Sequence, residues 1–239
     1  MKINEWDICE ADAKQWNVIM GYHSVDNESE WARGSPIPIL FQNEIGFKPM
    51  KITLLIKADG RQDILERCSE ILSHLLAPAE LTLDGFEHKF CGILKKHSHS
   101  ENAMRRWHTL TLEFDCYEYG PQVEQTFSGT TSIIVSNSGN IVTPAVIVIT
   151  PQIGAASVEL TGICRDPNTG EDLPVTVREL TAGKKVILDG EAGLFTEDGK
   201  LKASDIDIWG VPVLLPGNNK IAVNNNRMDI AVQFRPRFM

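Results

Sequence analysis

From Ile133 onward the chain shows no helical spacing. Its apolar residues fall in short runs over 133–135, 146–149, 158–163, 175–180, 186–188 and 206–215, each bounded by turn-forming residues. Strands of that length and spacing, with no helix between them, fit two packed antiparallel layers. Residues 129–239 therefore read as a β-sandwich. Near the end, Leu214-Leu215-Pro216-Gly217-Asn218-Asn219-Lys220-Ile221 places Pro before Gly at the centre of a reversal. Pro pre-sets a negative φ and Gly accepts the positive φ that follows, so the segment reads as a type II turn. Beyond it, Ile221 and Val223 share one side, Asn224-Asn225-Asn226 can turn the chain, and Met228, Ile230, Val232 and Phe234 share a face at period two. This pattern predicts a closing hairpin.

The first half holds the one strong helix signal. Between residues 61 and 77, Ile64, Leu65, Cys68, Ile71, Leu72, Leu75 and Leu76 form one stripe, with Arg61, Asp63, Glu66, Arg67, Glu70 and His74 off it. Asp59 is the expected N-cap and Pro78 the stop. Strand-like alternation flanks this helix: Met50, Ile52, Leu54 and Ile56 before it, then Leu81 and Leu83, Phe90 and Leu94, and Leu110, Leu112, Phe114 and Cys116. His97 to Asn102 reads as a polar turn. Asp26 to Pro38 holds Glu28, Glu30, Arg33, Gly34 and two prolines, and reads as a long exposed hairpin arm. Residues 1–128 thus read as a helix packed on a small antiparallel sheet with one long arm. The fold class is mainly β with one helix, in two domains that meet after the apolar-poor stretch 120–131, a division that 239 residues permit.

No apolar run approaches the ~20 residues of a membrane helix. The first 16 residues mix Lys2, Glu5, Asp7, Glu10 and Asp12 with apolar positions and do not read as a signal peptide, so the expected site of synthesis and residence is the cytoplasm. Cys9, Cys68, Cys91, Cys116 and Cys164 are odd in number and lack a Cys-x-x-Cys pair, which fits reduced thiols. The Asn27-Glu28-Ser29 sequon is then a chance match. A formal net charge of −9 argues against a surface that grips nucleic-acid phosphates.

Chemistry-bearing patterns are few. His97 and His99, two apart on a strand, would share a face, and Cys91, His88 or His108 could complete a metal site; a solvated turn is the simpler reading. Asp205 and Asp207 could set two carboxylates on one face, yet alternation with Ile206 and Ile208 describes a half-buried strand. Asp166-Pro167-Asn168-Thr169-Gly170-Glu171-Asp172 is oxygen-rich but also plain turn chemistry. No Gly-x-Ser-x-Gly elbow, activated cysteine or phosphate loop occurs, so neither an enzyme nor a cofactor is expected. Of Trp6, Trp16, Trp31, Trp107 and Trp209, only Trp209, beside Gly210, lies in the sandwich, where an exposed indole can stack on a sugar.

Several stretches, in order, resemble the distal tail proteins of long, non-contractile-tailed bacteriophages. In the first half these are Asp59-Gly60-Arg61 leading into the helix, the segment Pro78 to Asp84 (PAELTLD), and the strand ending Leu112-Glu113-Phe114-Asp115-Cys116-Tyr117-Glu118-Tyr119. In the second they are Asn137-Ser138-Gly139-Asn140-Ile141-Val142-Thr143-Pro144 running into 146–149, Val186-Ile187-Leu188-Asp189, the Leu214–Ile221 segment and the end Val232-Gln233-Phe234-Arg235-Pro236-Arg237-Phe238. Family members often open with a basic, aromatic arm; Trp31, Arg33 and Pro36 to Pro38 are its loose counterpart here.

The resemblance implies a structural virion component at the tail tip. Its first domain, related to tail-tube proteins, would build a hexameric ring, with galectin-like second domains outside it. The ring would join the tail tube protein to a tail-tip or baseplate hub protein and let DNA pass without specific binding. Carboxylates around such a lumen would repel phosphate. The alternative is a carbohydrate-binding sandwich that holds host-surface glycans through Trp209.

Overall fold

Side chains along Lys48–Lys57 alternate between buried and more exposed positions, with Met50, Ile52, Leu54 and Ile56 on the inner face. This strand organises the first of two compact units, which divide between Tyr119 and Gly120. The structure, a computed structural model, describes residues 1–101, 106–166 and 169–239, with the side chains of all but Asn27 and 40–43. Asn102, expected in a turn, and Pro167 and Asn168 of the oxygen-rich loop lie outside the described residues.

In chain order the first unit comprises β1 (Lys2–Ile3), β2 (Trp6–Asp7), a 3-10 turn (Ile8–Ala11), β3 (Ala13–Met20), β4 (Val25–Glu30), β5 (Ile39–Ile45), β6 (Lys48–Lys57), α1 (Arg61–Ser73), β7 (Ala79–Thr82), β8 (Lys89–Glu101) and β9 (Trp107–Tyr119). One antiparallel sheet runs β2-β1-β7-β8-β9-β6-β3, and β4 and β5 pair apart from it as a two-stranded ribbon. The inner face of β6 and β9 meets Ile64, Ile71 and Leu75 from α1 and its C-terminal turn, together with Ile8 and Ala11. The helix leaves Leu65 in solvent and the turn after it leaves Leu76 there, so the sequence stripe is wider than the buried one.

Two local expectations change here. Gly60, not Asp59, is the N-cap, and it makes no side-chain cap bond. Instead the Asp63 carboxylate reaches back to accept from the Asp59 N–H at 2.8 Å and from Arg67 Nε at 2.6 Å. Those bonds, the Asp59 N–H first, hold its pKa below the usual carboxylate range. The helix also ends at Ser73, four residues early; the Ser73 hydroxyl donates to the Glu70 carbonyl at 2.7 Å, and the next turn drops Leu75 into the core. The polar segment from His97 is not a turn. It continues β8 to Glu101, with His97 opposite Leu112 and His99 opposite Leu110 on β9.

The second unit comprises β10 (Val123–Ser128), β11 (Ser132–Asn137), β12 (Thr143–Pro151), β13 (Ala155–Arg165), β14 (Asp172–Leu180), β15 (Val186–Asp189), β16 (Leu194–Glu197), β17 (Lys200–Leu201), β18 (Ile206–Asp207), β19 (Val213–Leu214), β20 (Gly217–Val223) and β21 (Met228–Phe234). One sheet runs β10-β21-β12-β15-β16-β17, with β19 also on β12; the other runs β11-β20-β13-β14-β18. Ile147, Ile149, Val186, Leu188, Ile230 and Val232 from the first pack against Val135, Val158, Leu160, Val175, Val177 and Ile221 from the second. That shared core makes a β-sandwich.

β10, placed with the first domain on sequence grounds, pairs with β21 from Val123↔Phe234 to Ser128↔Asp229 and belongs to the sandwich. Its weak apolar signal arises because only Val123 and Phe127 face the core. The expected closing hairpin is also different. β20 pairs with β11 and β13, β21 with β10 and β12, so Asn224–Asn226 carries the chain from one sheet to the other. Each strand buries its inner face in the shared core from its own layer. In β13, Gly162 sits at φ +85° within the bulge between Leu160 and Cys164, where a Cβ would lie 2.0 Å from the Lys220 carbonyl oxygen. Only glycine satisfies both conditions.

Candidate functional site

The two sequence segments that frame the sandwich meet at buried amides. Gly217 takes φ +84°, as the type II turn requires. Asn219, 3% exposed, closes that turn: its Oδ1 accepts from the Leu215 N–H and its Nδ2 donates to the Leu215 carbonyl, both at 2.8 Å. Asn137 at the sandwich entry accepts the Gly139 N–H at 3.0 Å and donates to Thr143 Oγ1 at 3.1 Å, with the Leu215 carbonyl 3.3 Å from the same nitrogen. These bonds satisfy the backbone of two loops inside the core. Their role is architectural.

The expected reactive residues are separated or already engaged. Asp207 pairs with Arg178 at 3.6 Å. Asp205, at the end of a 3-10 turn, lies 3.3 Å from Lys202 Nζ, which also meets Glu197 at 3.1 Å and the Glu179 carbonyl at 2.9 Å. Burial alone would lower the lysine pKa, but those carboxylates outweigh it and raise it. His99 and His108 stack with ring centroids 5.2 Å apart and an Nε2–Nδ1 distance of 3.2 Å, while His88 is engaged elsewhere. Among the described residues no group of three or more His, Cys, Asp or Glu is placed to hold a metal. In the oxygen-rich loop, Arg165 and Asp172 pair across the two strands, with an ion pair of 2.9 Å, as a hairpin turn demands.

One buried polar cluster was missed. Lys48, 5% exposed, contacts Glu118 Oε2 at 2.5 Å, and His88 Nδ1 donates to Glu118 Oε1 at 2.7 Å. Burial would raise the Glu118 carboxyl, yet Lys48 and His88 together hold it below its ordinary value. Beside it the Cys116 thiol donates to the Lys48 carbonyl at 3.2 Å, and burial pushes its pKa up to about 12. The signal was legible: Lys48 stands in the same phase as Met50, Ile52 and Leu54.

Open surfaces remain. A depression of about 690 Å³ on the sandwich is lined by Thr126, Val148, Ile187 and Ala231 together with Glu124, Ser128, Asp229 and Gln233. No tryptophan lines it. Trp209 lies apart from it, between β18 and β19, 81% exposed. On the first unit a groove of about 470 Å³ separates α1 from β8, lined by Leu65, Cys68, Leu72 and Leu76 with His97, His99 and Leu110. Apolar side chains are also exposed on and around the arm, among them Tyr22, Val25, Trp31, Ile37, Ile39, Ile45 and Phe47, with Trp16 and Ile19 on the β3 edge. Apolar side chains left in solvent on one segment suit a contact surface.

No family model matches the chain, and no curated protein matches it in sequence. Solved structures do. The Dit protein of phage SPP1, described as a paradigm of the hub adsorption apparatus in phages that infect Gram-positive hosts, aligns over 99% of this chain and 98% of its own, with a TM-score of 0.74 at 15% identity. A chain of the phage p2 baseplate in its activated conformation with calcium aligns over 97% of this chain and 92% of its own, with a TM-score of 0.56 at 8% identity. The strontium form of that baseplate gives a TM-score of 0.54 at 8% identity, over 95% and 92%. From end to end, this chain has the fold of a phage Dit protein.

Proposed function

We propose that the chain is a structural distal tail protein whose first unit builds a homo-hexameric ring at the tip of a phage tail, with no catalytic step. The likeness to SPP1 Dit over both chains is the observation that carries this reading. The exposed apolar side chains of the arm and the β3 edge support it, because a ring buries such surfaces between copies. In this reading the ring joins the tail tube protein to the tail-tip or baseplate hub protein, DNA passes through its lumen, and the second unit serves as a galectin-like outer domain. The net charge of −9 suits a passage that must not bind phosphate. Light scattering on the purified protein tests it: a species about six times the 26.6 kDa chain is expected, and a monomer at every concentration overturns it.

A second reading rests on the exposure of Trp209. An indole presented on a loop beside Gly210 offers a flat face for a host-surface glycan. A glycan array run on the wild-type protein and on Trp209→Ala decides it: hits lost in the variant support the reading, and an array without hits removes it.

A further inference from the structure

We propose that the outer face of the β10-β21-β12-β15 sheet binds a neutral oligosaccharide in the depression of about 690 Å³. The inference rests neither on the ring reading nor on Trp209. Strand register builds the site. Thr126, Ala231, Val148 and Ile187 stand opposite one another across four strands, and all four point away from the core. The next outward row on one side holds Glu124, Gln233 and Val146, and on the other Ser128, Asp229 and Thr150. A row of short side chains beside Glu124, Gln233 and Asp229 leaves a furrow across the strands, about 14 Å long at ~4.8 Å per strand spacing.

The polar groups are set before any ligand arrives. Gln152 Nε2 donates to Asp229 Oδ1 at 2.8 Å and lies 3.0 Å from Ser128 Oγ. Hydrogen bonds from Ser128 first and then Gln152 hold the Asp229 carboxyl below the usual carboxylate range, so it is ionised at neutral pH and only accepts. Glu124 is a second acceptor, and the Gln233 amide both donates and accepts. Sugar hydroxyls do both and match this set, while Val148, Ile187 and Ala231 receive the C–H face of a sugar ring. Other occupants fit less well. Glu124 and Asp229 outnumber Lys185 among the charged lining residues, which disfavours an anion. β21 and β12 each pair with a strand on both sides, so the sheet beneath offers no backbone edge to an extended peptide.

An array of neutral and anionic oligosaccharides tests the proposal, with an oligolysine peptide spotted alongside. Neutral hits are expected on the wild-type protein, with affinity about tenfold lower in Asp229→Ala and in Gln233→Ala. They are expected to vanish in Ala231→Leu, whose larger side chain fills the furrow from an outward position. Trp209→Ala is expected to keep them. Thermal unfolding at the wild-type temperature shows that a variant is folded; where Ala231→Leu is not, the two polar variants decide. An array without neutral hits, binding to oligolysine or anionic glycans alone, or neutral hits unchanged in the furrow variants overturns the proposal. Neutral hits lost in Trp209→Ala but kept in the furrow variants also overturn it, and leave the Trp209 reading standing. The ring reading stands or falls on self-association, which none of these outcomes measures.

Discussion

Lys48 occupies an inward position on β6, where an unpaired ammonium would cost several kcal/mol. Glu118 answers it from β9, and His88 shares the same carboxylate. Removing the cation strands a largely buried charge, so Lys48→Met is expected to destabilise the first unit by about 3 kcal/mol, read as a shifted denaturant midpoint with an unchanged slope. The pH dependence follows from the lowered Glu118 pKa. Its contribution is present above the unfolded value of about 4.3 and is lost as the pH falls through the lower folded value. Glu118→Gln should therefore cost stability at neutral pH, and that cost should shrink below about pH 4. A cost independent of pH would show that the carboxylate charge plays no part.

At the scale of elements, the sandwich depends on one close approach. Gly162→Ala would drive a methyl into the Lys220 carbonyl and hold a non-glycine residue at positive φ, so a loss of about 2–4 kcal/mol is expected by thermal unfolding. A variant as stable as wild type would mean that the bulge in β13 can relax. Alternation was enough to locate β6, β9, β12 and β21, because each buries one face along its length. It could not tell which strand pairs with which: β20 and β21, neighbours in sequence, lie in different sheets. Pairing is decided by which core each face joins, and period-two spacing is identical in either case. His97 and His99 misled for the opposite reason, since β8 runs on past the core and its outer half keeps pairing to β9 with polar, exposed side chains. The arm was legible as an exposed hairpin from its charges, glycine and prolines, and β4 pairs with β5 as that reading requires. The exposure of Trp209 and the groove beside α1 depend on which side chains the core leaves outside.

For the whole molecule, two cores of similar size lie in one chain, and among the described residues no group of three or more His, Cys, Asp or Glu is placed to hold a metal. The first unit exposes an acidic, apolar-tipped arm, an apolar groove and a sheet edge. Surfaces of that kind suit assembly, and on the proposed reading the assembly is a closed ring of six copies. Negative-stain imaging of the purified protein tests this most directly: the account predicts six-fold rings with a central hole, and a field of single particles the size of one 26.6 kDa chain would contradict it.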